Sequence, residues 1–364
     1  MADFREYVEQ VRDVGASLTR SQANSALREM LAPEANDGAA DEDIAALLTA
    51  MAKRGETVAE LTGFAEAMRS LSVPVPLTER ERAQLVDTCG TGGDGKGTFN
   101  ISTGAALVAA AAGAKIAKHG NRGVTSHCGS ADVLEALGVA VALPVESAVE
   151  CLRATGFTFL YAPLLHPAMK RVGAIRRALG FRTIFNLAGP LCNPAGAQGQ
   201  VMGVFAADRI GLVAESMASL GVRHAFVVHG FDGLDELTLS GESLVAKIRG
   251  LGLRAQGLGI ACDVRHFRVN PAEAGLAVAS LDLLQGGATV AENASILEAI
   301  LLGELGPKRD IVLLNAAAVL VVAGIAEDFR EGVERAGAAI DSGAAKKTLF
   351  ALREFGSDAA RVKG

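Results

Sequence analysis

The sequence predicts an α/β protein: a small all-helical N-terminal domain, then a large α/β domain with a central, mostly parallel sheet flanked by helices. Three observations lead there. Residues 1 to about 72 carry only helical periodicity. From Leu85 onward, short apolar runs alternate with Ala-rich stretches, the pattern of a layered α/β domain. Between the two lies SVPVPLTERE, whose prolines Pro74 and Pro76 read as a linker.

In chain order, TRSQANSALREML and DEDIAALLTAMAKRG place apolar residues at helical spacing behind capping residues. The runs QLVDTC, AKIAKHG, VAVALP, FTFLYAP, MGVFAA and HAFVVHG then read as strands. Between Leu165 and Asn193 the texture reverts to helix. The expected division is therefore a helical domain at 1–75, to which 165–193 returns, and an α/β domain at 76–164 and 194–364.

Composition bounds the function. The chain has 364 residues, 50% hydrophobic and 21% charged, and a formal charge of −6, which argues against nucleic acid as the main partner. Five cysteines at scattered spacings fit neither a disulfide framework nor a zinc motif, so reduced thiols and a cytoplasmic protein are expected. The first residues, MADFREYVEQVRD, lack the apolar core of a signal peptide. AALVAAAAGAKIA and LLNAAAVLVVAGIA, at about 13 residues each, are too short for a bilayer that needs ~20, so they read as buried helices and no membrane partner is expected.

The most informative stretch is DTCGTGGDGKGTFNIST, with five glycines in the eight residues from Gly90 to Gly97. A strand leads into it and a helix from about Ser102 follows, the setting in which backbone N–H groups and a helix N-terminus hold an anion. Two familiar readings fail on their discriminating residue. A dinucleotide fold needs an acidic residue about 20 positions on, where this chain offers Lys118, His119, Asn121 and Arg122. An ATP loop needs a hydroxyl directly after its lysine, where Gly97 stands. The basic cluster after the second strand, together with Gly129 and Ser130 opening the next helix, points instead to at least two phosphate groups. Asp132 and Glu135 read as helix N-terminal charge compensation.

GTGGDGKGTFNIST, AKHGNRGVTSHCGSADVLEALG, LLHPAMKRVGAIRRALGFRTIFNLAGPLCNPA and HGFDGLDE, in this order and spacing, resemble the anthranilate phosphoribosyltransferase family of tryptophan biosynthesis over nearly the whole chain. The resemblance implies transfer of the ribose 5-phosphate unit of phosphoribosyl pyrophosphate to the amine of anthranilate, with Mg²⁺. It implies a phosphoribosyl pyrophosphate site at Gly90, Thr91, Gly92, Gly93, Asp94, Thr98, Asn100, Ser102, Thr103, Lys118 and Ser130. It further implies Mg²⁺ ligation by Ser102, Asp235 and Glu236, and an anthranilate site at Gly90, His119, Asn121, His166, Arg176 and Pro190. Arg176 would bind the acceptor carboxylate, with Arg177 as its neighbour on another helix face.

No dedicated acid or base is expected, because the leaving diphosphate is a stable anion and an aromatic amine is largely unprotonated at neutral pH; positioning and electrostatics suffice. The resemblance also implies a homodimer through the N-terminal helices, and any association with anthranilate synthase would be non-covalent. A hinge is expected near SVPVPL and near Leu165. Three departures from the family's commoner wording stand out: Thr125-Ser126-His127-Cys128 before GSAD, Cys192 in PLCNPA, and Ala188. Two alternatives remain at this stage: a pyrimidine nucleoside phosphorylase, and a non-catalytic relative that binds nucleic acid.

Overall fold

The computed structural model describes residues 4–33, 38–123, 128–250 and 262–361. Four helices, Phe4–Arg12, Arg20–Leu31, Asp41–Arg54 and Val58–Ser70, open the chain. Thr19 and Thr57 cap two of them through reciprocal bonds with Gln22 and Glu60, which satisfies backbone donors that a helix start leaves open. Glu60 is fully buried, yet its carboxylate accepts from the Arg54 guanidinium at 2.6 Å and from Leu18 N–H at 2.9 Å. A buried charge held this way pins three segments of the bundle together.

Seven strands follow: β1 Leu85–Gly90, β2 Lys115–Gly120, β3 Phe157–Tyr161, β4 Gly199–Gly203, β5 His224–Gly230, β6 Ser243–Gly250 and β7 Cys262–Val269. They form one sheet in the order β3-β2-β1-β4-β5-β6-β7. The first five are parallel, and β6 and β7 each pair antiparallel with the preceding strand. The chain thus winds outward from β1 to β3, then returns to the other side of β1 with β4. That reversal opens a crevice beyond the carboxyl ends of β1 and β4, where open α/β sheets bind their ligands.

The Ala-rich stretches are only in part the buried helices expected: the first is helical to Ala111 and its end, Lys115-Ile116-Ala117, opens strand β2, and the second is helical to Ala323. Ile101–Ala111 packs against Pro307–Ala323, and a methyl group on Gly104 would sit 2.9 Å from Leu297 Cδ2 and 3.2 Å from Val312 Cγ2. Small side chains are what let these helices approach. No helix of the described residues is long and apolar enough to cross a membrane.

The segment after β3 returns to the N-terminal bundle. Lys170–Leu179 packs on Asp41–Arg54 and Arg20–Leu31, and Phe185–Ala188 packs on Val58–Ser70. Val172, Ile184 and Phe185 lie in one apolar cluster with Leu27, Leu48 and Phe64, and that cluster continues onto Met202 and Val227 of the sheet.

Two strand expectations need correction. VAVALP is not a strand: Val139–Pro144 is an extended connection whose Val139 and Val141 are buried, and Pro144 caps the helix Val145–Thr155. Its apolar residues are covered by the C-terminal helix, since a methyl on Gly356 would meet Ala140 Cβ at 2.9 Å. Burial without a free sheet edge produces the same apolar run as a strand. Conversely, the antiparallel pair β6 and β7 escaped notice, because β7 mixes Asp263, Arg265, His266 and Arg268 into an exposed edge.

Candidate active site

The glycine loop, the helix start and the carboxylate pair converge on the crevice between β1 and β4. Gly92, Gly93, Gly95 and Gly97 all have φ between 68° and 75°, a left-handed conformation that other residues adopt only with strain. The loop's root is stitched to β4: Thr91 N–H donates to Gly203 O at 2.9 Å and Phe205 N–H donates to Thr91 Oγ1 at 3.0 Å. Its far side docks on a distant segment, where Gly286 N–H donates to Gly97 O and Thr98 bridges Gln285.

Asp235 and Glu236 follow β5 and are half-buried in the same crevice. Asp235 Oδ2 accepts from Gly92 N–H at 2.7 Å, and Glu236 Oε1 accepts from Ser102 N–H at 3.1 Å. Asp94 leans on the pair from the loop, its Oδ2 3.5 Å from Asp235 N. Burial, and then the charge of neighbouring carboxylates, push both Asp235 and Glu236 well above the ordinary carboxylate range. Such crowding of acids against a polar loop is the donor set of a hard divalent cation, which takes one or two carboxylates plus substrate oxygens. Asp232, by contrast, is tied into its own turn, accepting from Thr238 Oγ1, Ser240 Oγ and Leu234 N–H.

Beneath the loop lies a buried pair that sequence reading half missed. Lys118 was expected at the phosphate site; it is 1% exposed, and its ammonium donates to Thr88 O and, at 3.3 Å, to Ser102 Oγ. Burial lowers its pKa. Asp87, equally buried in β1, accepts from His119 N–H at 3.1 Å, and burial pushes it up to about 6. An acid inside the apolar run QLVDTC was the available signal.

Around the helix start, Asn100 is the N-cap residue of Ile101–Ala111; its side chain donates to Cys128 O at 3.0 Å, leaving Oδ1 buried without a partner. Thr103 is fully buried and its Oγ1 is likewise unpartnered. Ser130 begins the short helix Ser130–Ala136 beside Gly120, where a methyl would lie 3.6 Å from Ser130 Cβ. Asn121 is exposed. Arg122, read as part of the anion-attracting cluster, is instead committed to Asp132 at 3.0 Å and Glu135 at 2.7 Å. Of the departing residues, Thr125, Ser126 and His127 lie outside the described residues.

Of the residues expected at the acceptor site, the two histidines meet. The His119 and His166 ring centroids are 5.0 Å apart, and His166 Nε2 lies 3.7 Å from Cys192 Sγ. Pro190 is in the 3-10 turn Gly189–Leu191, its carbonyl fixed by Gln200 Nε2 at 2.7 Å. Arg176 is half-buried over the Phe185 ring at 5.1 Å and, among the described residues, has no carboxylate partner; Arg177 is exposed. Arg182, which sequence reading passed over, reaches across from the returning segment: it donates to Gly93 O and lies 4.0 Å over the Phe205 ring.

Burial lowers His119 to about 3 and His166 to about 4. Their neutral forms therefore persist as pH falls through 6.5, where a solvated imidazole would charge. Lowering pH from 7.5 to 5.5 is expected to leave the KM for the acceptor within about twofold. A tenfold change with a midpoint near 6.5 would mean that these rings titrate in water.

Two family models match the chain: "Glycosyl transferase family, helical bundle domain" over residues 5–72 and "Glycosyl transferase family, a/b domain" over residues 82–346. The anthranilate phosphoribosyltransferase of Symbiobacterium thermophilum is 48% identical over 341 residues, 94% of each chain. That of Pelotomaculum thermopropionicum is 49% identical over 94% of this chain and 93% of its own. Among solved structures, the Thermus thermophilus enzyme superposes with a TM-score of 0.85 at 40% identity, covering 98% of this chain and 99% of that one. The Saccharomyces cerevisiae enzyme in complex with phosphoribosyl pyrophosphate and Mg gives 0.84 at 27% identity over 98% of each.

Proposed function

The chain belongs to the anthranilate phosphoribosyltransferase family, and on that premise we propose that it transfers the 5-phosphoribosyl group of phosphoribosyl pyrophosphate to the amine of anthranilate, giving N-(5-phosphoribosyl)anthranilate and pyrophosphate. One observation of this molecule carries the reading: the glycine loop, the N-terminus of Ile101–Ala111 and the Asp235–Glu236 pair meet at the point where strand order reverses. The phosphorylase and nucleic-acid-binding alternatives are not favoured.

In this reading the loop from Gly90 to Asp94, with Thr98, Asn100, Ser102, Thr103, Lys118 and Ser130, forms the phosphoribosyl pyrophosphate site. The N–H groups of Gly92 and Ser102 are occupied by the two carboxylates, so they become free for a diphosphate when those carboxylates turn to a cation. Asp235, Glu236 and the Ser102 hydroxyl would hold Mg²⁺. When bound, the ion neutralises diphosphate charge and stabilises the leaving pyrophosphate. Lys118 and Asp87 set the floor of the site rather than touch solvent: Lys118 fixes Ser102, and Asp87 fixes the backbone at His119.

Gly90, His119, Asn121, His166 and Pro190 would line the acceptor site, with Arg176 on its carboxylate. The amine nitrogen bonds to C1 of the ribose as the C1–O bond to the diphosphate breaks, through an oxocarbenium-like state; no group need remove a proton first, and the proton of the resulting ammonium then passes to solvent. Truncating Arg176 to Ala is expected to raise the KM for anthranilate about 10- to 100-fold, the worth of a charge-assisted hydrogen bond. Arg177→Ala should stay within about twofold, as exposed side chains do. Equal effects in steady-state assays would reassign the carboxylate contact.

The domain division at 1–75 with 165–193, against 76–164 with 194–364, is proposed to act as a hinge. Val73 N–H donates to Leu165 O at 2.8 Å, so the two chain crossings lie side by side, and Arg182 links the moving segment to the glycine loop. Scattering profiles that do not change between the free and doubly liganded protein would refute closure. A homodimer through the N-terminal helices is supported by a shallow groove of about 280 Å³ whose lining includes the small residues Ala45, Ala46, Thr49 and Ala50, which admit a close neighbour, together with Arg12 and Lys53. Sedimentation velocity decides it. A cytoplasmic location and a non-covalent association with anthranilate synthase complete the reading.

The test is direct: phosphoribosyl pyrophosphate, Mg²⁺ and anthranilate are mixed with the protein and anthranilate fluorescence is followed, with a metal-free control. Magnesium-dependent loss is expected. No loss, with phosphoribosyl pyrophosphate still bound, would mean a different acceptor.

A further inference from the structure

We infer that His119, His166 and Cys192 form a second cation site, one that takes a zinc-class ion rather than magnesium and whose filling blocks the acceptor site. The blocking half rests on the acceptor reading above; the site itself does not.

The three residues come from separate segments: the end of β2, the turn after β3, and the residue following the 3-10 turn Gly189–Leu191. One donor atom from each lies within 4.8 Å of the others, and His166 Nε2 to Cys192 Sγ is 3.7 Å. A tetrahedral zinc ion with bonds of about 2.0–2.1 Å to nitrogen and 2.3 Å to sulfur sets its ligand atoms roughly 3.3–3.7 Å apart. One pair already has that spacing, and the widest gap need close by at most about 1.5 Å.

A second observation points to a ligand. His119 is 8% exposed and its Nε2 is buried with no hydrogen-bond partner, a state that protein interiors rarely leave uncompensated. The imidazoles are neutral, the form that ligates. Cys192 is fully buried, and its thiol now donates to Gly189 O at 2.9 Å. Burial pushes the Cys192 thiol up to about 12, with the nearby Arg69 guanidinium favouring the thiolate and Asp87 opposing it, so the S–H proton leaves to solvent only as the ion takes its place on sulfur. Two nitrogens and one sulfur suit zinc and cobalt and reject magnesium, whereas the oxygen set of Asp235, Glu236 and Ser102 has the opposite preference. Ligation would fix both rings away from an aromatic acceptor.

Co²⁺ alone, titrated into the full chain without substrates, is the probe. We expect a sulfur-to-cobalt absorption band in the near ultraviolet, removed by Zn²⁺ and untouched by excess Mg²⁺. Cys192→Ser should abolish it, and His166→Gln should weaken cobalt binding by at least about tenfold; if one variant fails to fold, the other decides. Asp235→Asn should retain the band. An absent band, or one that survives in Cys192→Ser, overturns the site. In the transferase assay with excess Mg²⁺, Zn²⁺ should slow turnover in a way that added anthranilate relieves. A cobalt band with no effect of Zn²⁺ on turnover overturns the blocking half alone, and a chain inactive under all conditions sinks the transferase reading while the cobalt titration still decides the site.

Discussion

Gly203→Ala is expected to abolish transfer although it adds one methyl to a strand and touches no substrate. That methyl would stand 1.5 Å from Asp235 O and 2.4 Å from its carbonyl carbon, so the backbone carrying Asp235 and Glu236 must move. The displacement cannot be shared with the other side, because Gly203 O also accepts from Thr91 N–H at the root of the glycine loop. A shift of about 1 Å at catalytic groups costs on the order of 10²-fold, and here both the loop and the carboxylates shift, so a loss of 10³-fold or more in kcat/KM is expected. Overpacking also costs about 1–3 kcal/mol of stability. Gly90→Ala should follow the same course more mildly, since its methyl meets the Asp235 Oδ2 atom at 2.4 Å and a side chain can turn where a backbone cannot. Near-normal kinetics in Gly203→Ala would show that the approach of these two segments is dispensable. The chain's circular dichroism and kinetics, measured together, separate a collapsed site from a collapsed fold.

The second large effect has opposite signs in activity and stability. The pair Asp235→Asn with Glu236→Gln should lower kcat/KM at least about 10²-fold and remove its dependence on Mg²⁺. In metal-free buffer the same variant should melt higher than the parent. Burial, and then the charge of Asp94 on Asp235 and of Asp235 on Glu236, raise both carboxylate pKa values above their unfolded values. The folded chain therefore binds more protons than the unfolded one, and stability falls as pH rises through that interval. Neutral amides remove the penalty and flatten that dependence, while Asn Oδ1 can still accept from Gly92 N–H. Thermal melts at pH 5 and pH 8, without and with Mg²⁺, test the sign. A variant that melts lower at pH 8 without metal would mean these carboxylates stabilise the empty site.

Much of the candidate site around the glycine loop was legible because it is local. Five glycines that need left-handed or crowded backbone, a hydroxyl-rich helix start and an adjacent acid pair each declare their chemistry within a dozen residues, and the resemblance supplied their partners. Arg176 and Arg177 were separable too, since neighbouring residues on a helix face different ways; the structure leaves one over Phe185 and the other in solvent.

What the sequence determined by itself, then, was the period of each element and the chemistry of each contiguous motif. Those depend on backbone geometry and side-chain type over a few residues. Strand order was decided only in three dimensions. Nothing in GQVMG, of which the expected strand MGVFAA shares only Met202 and Gly203, says that β4 returns to the far side of β1, yet that choice opens the crevice and brings Gly203 against Asp235. The burial of Lys118 over Thr88 and Ser102, the reach of Arg182 to Gly93, and the meeting of His119, His166 and Cys192 follow from the same choice. VAVALP, apolar but covered by a helix, failed for the same reason: a sequence records that a side chain avoids water, and only the packed chain decides which surface excludes it.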